Sequence, residues 1–288
     1  MHRSAGLRLA AVLTAVVTAR SGQAQHLVPF HELAPDGSRV RVESAAALLR
    51  DIAPATRVRG DSFFVAHAAP EADSAALVRL NLATRRADTV ARVRVWTYHC
   101  SVDTLVGGVT RTRTVLEVLP NIDDWTVLAD GTVAIVRGID YHIDWIRPDG
   151  SRLSTPKIPI DWRRMTDDEK RQRVAAAKSD YEAAYPEAMT RGPNVIEFAP
   201  PSSLPDWLPP VSVGSMRSDR DGNVWILPSS SSYGGYPGFA FDVVNRSGQL
   251  VERVRLPRGR ELAGFGPDGT VFMTVVDTAG TWVERARR

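Results

Sequence analysis

This 288-residue chain has one cysteine, Cys100, so no disulfide can form within it and the fold must stand on packing and sheet closure. Long apolar runs are scarce. The stretch Leu9–Ala19 is eleven residues long, too short to cross a hydrocarbon core of ~30 Å, and stable membrane insertion is not expected. An excess of one charge is also missing. The formal net charge is +3, and Arg3, Arg8 and Arg20 stand without an acid in the first 24 residues, which leaves the remainder close to neutral. A near-neutral body gives no electrostatic ground for a nucleic-acid partner. The sequence also lacks a Gly-x-Ser-x-Gly elbow, a His-Glu-x-x-His zinc motif and a Walker segment, so the familiar hydrolase and phosphate-binding signals are not there.

What is present begins with a leader. Two arginines, the apolar run and the small residues Gly22 and Ala24 read as a secretory signal peptide over residues 1–24, cleaved before Gln25. A periplasmic or secreted location is therefore expected, with residues 25–288 as one domain, large enough to bury a substantial core.

A unit then returns three times: Asp130-Gly131-Thr132-Val133-Ala134-Ile135, Asp221-Gly222-Asn223-Val224-Trp225-Ile226 and Asp268-Gly269-Thr270-Val271-Phe272-Met273. The last two copies lie 47 residues apart. Asp-Gly between β-rich flanks marks a two-residue hairpin turn, and this spacing suits four-stranded antiparallel sheets repeated around an axis. The expected fold is all-β, a β-propeller. Modules run from Trp125 to Ile160 and from Val211 to Leu256. They align without a gap, since Asp144 precedes Gly150 by six residues and Asp242 precedes Gly248 by six. A third begins at Leu262 and has no room for a fourth strand, which Leu27–Leu33 could supply to close the ring. Upstream, residues 61–66, 76–82, 88–95 and 110–119 read as strands, and residues 44–52 as a short helix.

An insertion over about residues 161–210 interrupts the pattern. Thr166 and Glu169 form a capping box, a helix follows, Pro186 limits it, and residues 200–210 are proline-rich. The insertion serves either for binding or as a cap over the scaffold.

Residues 124–150, the segment Pro159-Ile160-Asp161-Trp162 and residues 209–226 and 250–257 resemble the secreted six-bladed β-propeller proteins of environmental bacteria, themselves similar to NHL-type propellers. The resemblance covers about residues 60–288. It implies the fold, with room in so short a chain for fewer blades than six, and is uninformative on activity.

Candidate ligand-binding residues are Arg137, Asp140, Tyr141, His142 and Asp144, with Asp161 and Trp162 downstream, and Tyr233 and Tyr236 in a Ser/Tyr/Gly-rich rim segment. On the strand 141–146, Tyr141, Ile143 and Trp145 share one face and His142, Asp144 and Ile146 the other. A carboxylate beside His142 could orient it as a base. Against that, Asp144 recurs as Asp242 where Ala240 replaces the histidine, as expected of a residue that holds a blade. The expected function is a binding or structural scaffold for a protein, peptide or glycan, with no cofactor. The alternative is a lactonase-like propeller hydrolase, for which calcium is the metal to consider.

Overall fold

The computed structural model describes residues 30–41, 56–59, 62–67, 73–81, 83–96, 98–104, 108, 110–186, 195–233, 238–266 and 268–287. The leader, the helix expected over residues 44–52 and Tyr236 lie outside them. Two strands come first, β1 (Phe30–Glu32) and β2 (Pro35–Arg41). Blade 1 is β3 (Thr56–Arg59), β4 (Ser62–His67), β5 (Ser74–Asn81) and β6 (Arg86–Arg94). A long hairpin, β7 (Tyr98–Thr104) and β8 (Thr110–Leu116), precedes blade 2, which is β9 (Asp124–Val127), β10 (Val133–Arg137), β11 (His142–Ile146) and β12 (Arg152–Ser154). Helix α1 (Asp167–Ala184) and β13 (Val195–Phe198) follow, and β13 pairs in parallel with β8. Blade 3 is β14 (Met216–Ser218), β15 (Val224–Ile226), β16 (Ala240–Val244) and β17 (Leu250–Arg255), with the short helix α2 (Ser229–Tyr233) between its second and third strands. Blade 4 is β18 (Arg260–Phe265), β19 (Val271–Asp277) and β20 (Gly280–Ala286), completed by β2.

Four-stranded sheets packed face to face, with first strands brought together, are the blades of a β-propeller. Blade 1 packs on blade 2 through Leu77 and Val93 against Trp125 and Ile135. Blade 2 packs on blade 3 through Val136, Tyr141 and Ile143 against Met216 and Ile226. Blade 3 packs on blade 4 through Trp225 and Val243 against Val271 and Met273. The first strands adjoin: β9 touches both β3 and β14. The described residues thus form five sheets, of which these four stack in sequence and the fifth, β7-β8-β13, carries the insertion. That is short of the six blades the resemblance implies.

Two expectations about strand connections need correction. The Asp-Gly turn is longer than two residues: Leu128 N donates to Thr132 O at 2.8 Å and Gly131 N to Leu128 O at 2.9 Å, enclosing Ala129 as well. Its glycine sits at φ 85°, and Gly222 and Gly269 at 82° and 80°, left-handed values that disfavour any Cβ. The closing strand is also not Leu27–Leu33. Phe30–Glu32 runs parallel to β17 on blade 3, and Pro35–Arg41 pairs antiparallel with β20. Pro35 is tolerated because β2 is an edge strand, bonded on one side only, with a register shift between Pro35 and Arg39.

Candidate functional site

The third strand of each of the last three blades carries an acid at one equivalent place. Asp144 lies opposite Ile135, Asp242 opposite Ile226 and Glu284 opposite Met273. Those partners are the sixth residues of the three repeat units. Each acid is held by an arginine: Arg137 Nε to Asp144 Oδ2 at 2.7 Å, Arg253 Nε to Asp242 Oδ1 at 2.9 Å, and Arg260 Nε to Glu284 Oε2 at 2.9 Å. The arginines come from different strands, so the carboxylate recurs and its counter-ion is found locally.

Four of the expected site residues meet at one end of β11. His142 Nδ1 lies 2.6 Å from Asp140 Oδ1 and Nε2 lies 3.4 Å from Asp144 Oδ1. Arg137 also donates to Asp123 Oδ2 at 2.7 Å and to the Arg92 carbonyl of blade 1 at 2.9 Å. Ser154 donates to Asp144. Burial pushes the Asp144 carboxyl up, but the hydrogen bonds from Ser154 and Arg137 and the guanidinium charge outweigh it and hold the group below the ordinary value of 3.8. Asp144 is thus ionised and its oxygens are already engaged within blade 2, while Arg137 carries the link to blade 1.

The remaining expected residues are not brought together with these. Tyr141 points to the opposite side, fully buried, and its hydroxyl donates to Asp242 Oδ2 at 2.9 Å, bolting blade 2 to blade 3. Its backbone accepts a φ of 50° to do so, an uncommon conformation for a bulky residue. Burial pushes the Asp242 carboxyl up, against the pull of Arg253 and of the Tyr141 hydroxyl. Asp161 acts on this pair through its charge, and exposed Trp162 stands at the start of the insertion. Tyr233 ends α2. Residues 229–233 of the rim segment are therefore helical where a loop was expected, with Ser231 N bonded to Pro228 O at 2.9 Å and Ser229 buried.

Open space lies elsewhere, around the insertion. The capping box holds: Glu169 N donates to Thr166 Oγ1 at 3.2 Å and Thr166 N to Glu169 Oε2 at 2.9 Å. Lys170, buried on α1, donates to Leu204 O at 3.1 Å and Asp206 Oδ1 at 2.7 Å, which ties the helix to the proline-rich return. Met165 N to Asp206 O and Leu208 N to Arg163 O join the two arms. The helix then leans over the β7-β8-β13 sheet. Between them is a cavity of about 430 Å³ with apolar walls that include Trp96, Leu116, Tyr181, Tyr185, Phe198 and Val211. The Tyr181 ring lies 4.9 Å from that of Tyr185, tilted by 44°, and meets Phe198 edge-on at 5.9 Å. Beside it, across residues 117–120, is a polar cavity of about 350 Å³ bordered by Asp73, Arg94, His99 and Asn121. A third, about 330 Å³, lies at the blade 3 and blade 4 turns. None of the three is lined by His142, Asp140 or Asp144. Among the described residues no group of three or more His, Cys, Asp and Glu side chains is placed to hold a metal ion.

No protein-family model matches the chain, and no curated protein matches it. Solved structures give distant likenesses. Virginiamycin B lyase from Staphylococcus aureus is 10% identical, over 86% of this chain and 72% of that one, with a TM-score of 0.28. A gluconolactonase from Xanthomonas campestris is 15% identical, over 88% and 97%, with a TM-score of 0.22. At such values the likeness settles neither fold nor activity; the fold rests on the blades themselves.

Sequence reasoning missed the cavity because its walls come from six separated stretches of chain. The one available signal was aromatic: Tyr181 and Tyr185 stand four residues apart on a helix of otherwise polar and alanine-rich surface.

Proposed function

We propose that this chain is an extracytoplasmic binding propeller, exported by its leader, whose insertion forms the recognition site. The observation that carries the reading is the apolar cavity between α1 and the β7-β8-β13 sheet, where Trp96, Tyr185 and Val213 remain 48%, 57% and 58% exposed. Large apolar side chains left half open around a concavity of this size fit a small-molecule site. Apolar walls favour a small apolar ligand over a glycan. A hydrolytic role has less support, because His142 lies between Asp140 and the already engaged Asp144 and borders none of these cavities.

Filling the cavity tests this. Ala177 lines it from α1, and Ala177→Trp should weaken saturable binding of the neutral dye Nile red by about tenfold or more, by loss of buried apolar contact. His142→Ala should leave that binding unchanged. Undiminished dye binding by a folded Ala177→Trp protein would remove the cavity from the account.

A further inference from the structure

Resting on that reading of the cavity, we infer that its ligand is an organic cation, an apolar or aromatic body carrying an amine or quaternary ammonium group. Two carboxylate residues, Asp180 and Glu117, are among those that line the apolar cavity, and among the described residues no lysine or arginine does. On α1 the positions three and four residues either side of Asp180 are all alanine, so no cation on the helix is placed to neutralise it. Glu117 has His99 Nε2 at 3.7 Å, on the side of the neighbouring polar cavity.

The helix adds to the same sign. Ala177, Asp180, Tyr181, Ala184 and Tyr185 border the cavity, so it is the C-terminal end of α1 that faces the space. That end carries the negative pole of the helix dipole, and its last turn has no basic residue to offset it. The walls themselves suit a cation. Trp96, Tyr181, Tyr185 and Phe198 offer π faces whose quadrupole attracts a positive charge. An anionic amphiphile would meet two carboxylates and the helix C-terminus, with no lysine or arginine among the described lining residues to pair against. A neutral one would gain burial alone.

The test uses three probes with one apolar body: 1-(aminomethyl)naphthalene, protonated at pH 7, 1-naphthalenemethanol and 1-naphthoate. Calorimetric titration of the whole mature chain at low salt should rank them cation, neutral, anion, with the amine bound about tenfold more tightly than the alcohol. Asp180→Asn and Glu117→Gln should each reduce the amine's advantage several-fold while leaving the alcohol's affinity unchanged, and the double variant should abolish it. Equal affinity for amine and alcohol in the unmutated chain, or an advantage that survives the double variant, would overturn the cation assignment and leave the binding site standing. Failure of all three probes to bind would overturn both. Melting temperatures of the variants within a few degrees of the parent would show that a lost advantage is not a lost fold.

Discussion

The blade stack and the insertion use the same kinds of residue to opposite ends. In the stack, polar groups are spent on structure. Asp124 on β9 accepts Met216 N at 2.7 Å from the next blade, Tyr141 reaches Asp242, and Arg246 on blade 3 reaches Asp130 at 2.7 Å. Trp225, fully buried, packs on Phe241 and Phe265, and its ring nitrogen donates to Asp219 Oδ2 at 3.1 Å. Around the insertion, Trp96 and Tyr185 stay about half exposed, and the Asp180 side chain stands beside an open space. A repeated position serves the repeat. In this chain the residues left over for recognition lie where the repeat is interrupted.

That contrast breaks most visibly at Trp225. Trp225→Ala removes a ring from the blade 3 and blade 4 core and should cost about 4 kcal/mol, read as a loss of denaturant midpoint. Ala177→Trp, an aromatic gained at the insertion, should leave the midpoint nearly unchanged. Similar losses from both would erase the division between stack and insertion. Next in size is Asp242→Ala, which strands the Arg253 guanidinium and the buried Tyr141 hydroxyl and should cost about 3 kcal/mol. Adding Tyr141→Phe should recover part of that loss, because a hydroxyl that has no acceptor is better removed. Strict additivity of the two changes would mean that the bond between blades carries no weight.

How far these features could be read from the letters depends on whether their causes are local. The Asp-Gly turns and the capping box at Thr166 are set by a few consecutive residues, and the place of both was legible, though not the length of the turns. Asp144 and Asp242 could be matched because each stands six residues before a turn glycine. Glu284 could not, since the chain ends its last blade without such a turn and the acid is longer by one methylene. The closing strand was misplaced because apolar character pointed to Leu27–Leu33. An outer edge strand is bonded on one side, so it needs little apolar character and tolerates the Pro-Asp-Gly sequence of β2. The cavity is the least legible feature of all, because Trp96, Ile122, Tyr181, Phe198 and Val211 share no local pattern and meet only after blade 2 and the insertion have folded.

The finest division lies within the stack, between two acids in one equivalent position. Asp144 is held below 3.8 in the folded chain, so it contributes stability that is present above 3.8 and is lost as the pH falls through its lower folded value. Asp242 is raised, so its proton is bound more tightly in the folded chain. The stability linked to that proton is present below 3.8 and lost as the pH rises through its folded value. Asparagine removes both titrations while keeping shape and one acceptor oxygen. Asp144→Asn should therefore trail the parent by no more than about 1 kcal/mol at neutral pH, given its partial exposure, and the gap should close below 3.8. Asp242→Asn should show the reverse trend, comparing more favourably with its parent at neutral pH than in acid. Denaturant midpoints between pH 3 and 7 would read both slopes. Parallel slopes would mean that the two carboxylates feel the same surroundings, and that burial behind Tyr141 does not set Asp242 apart.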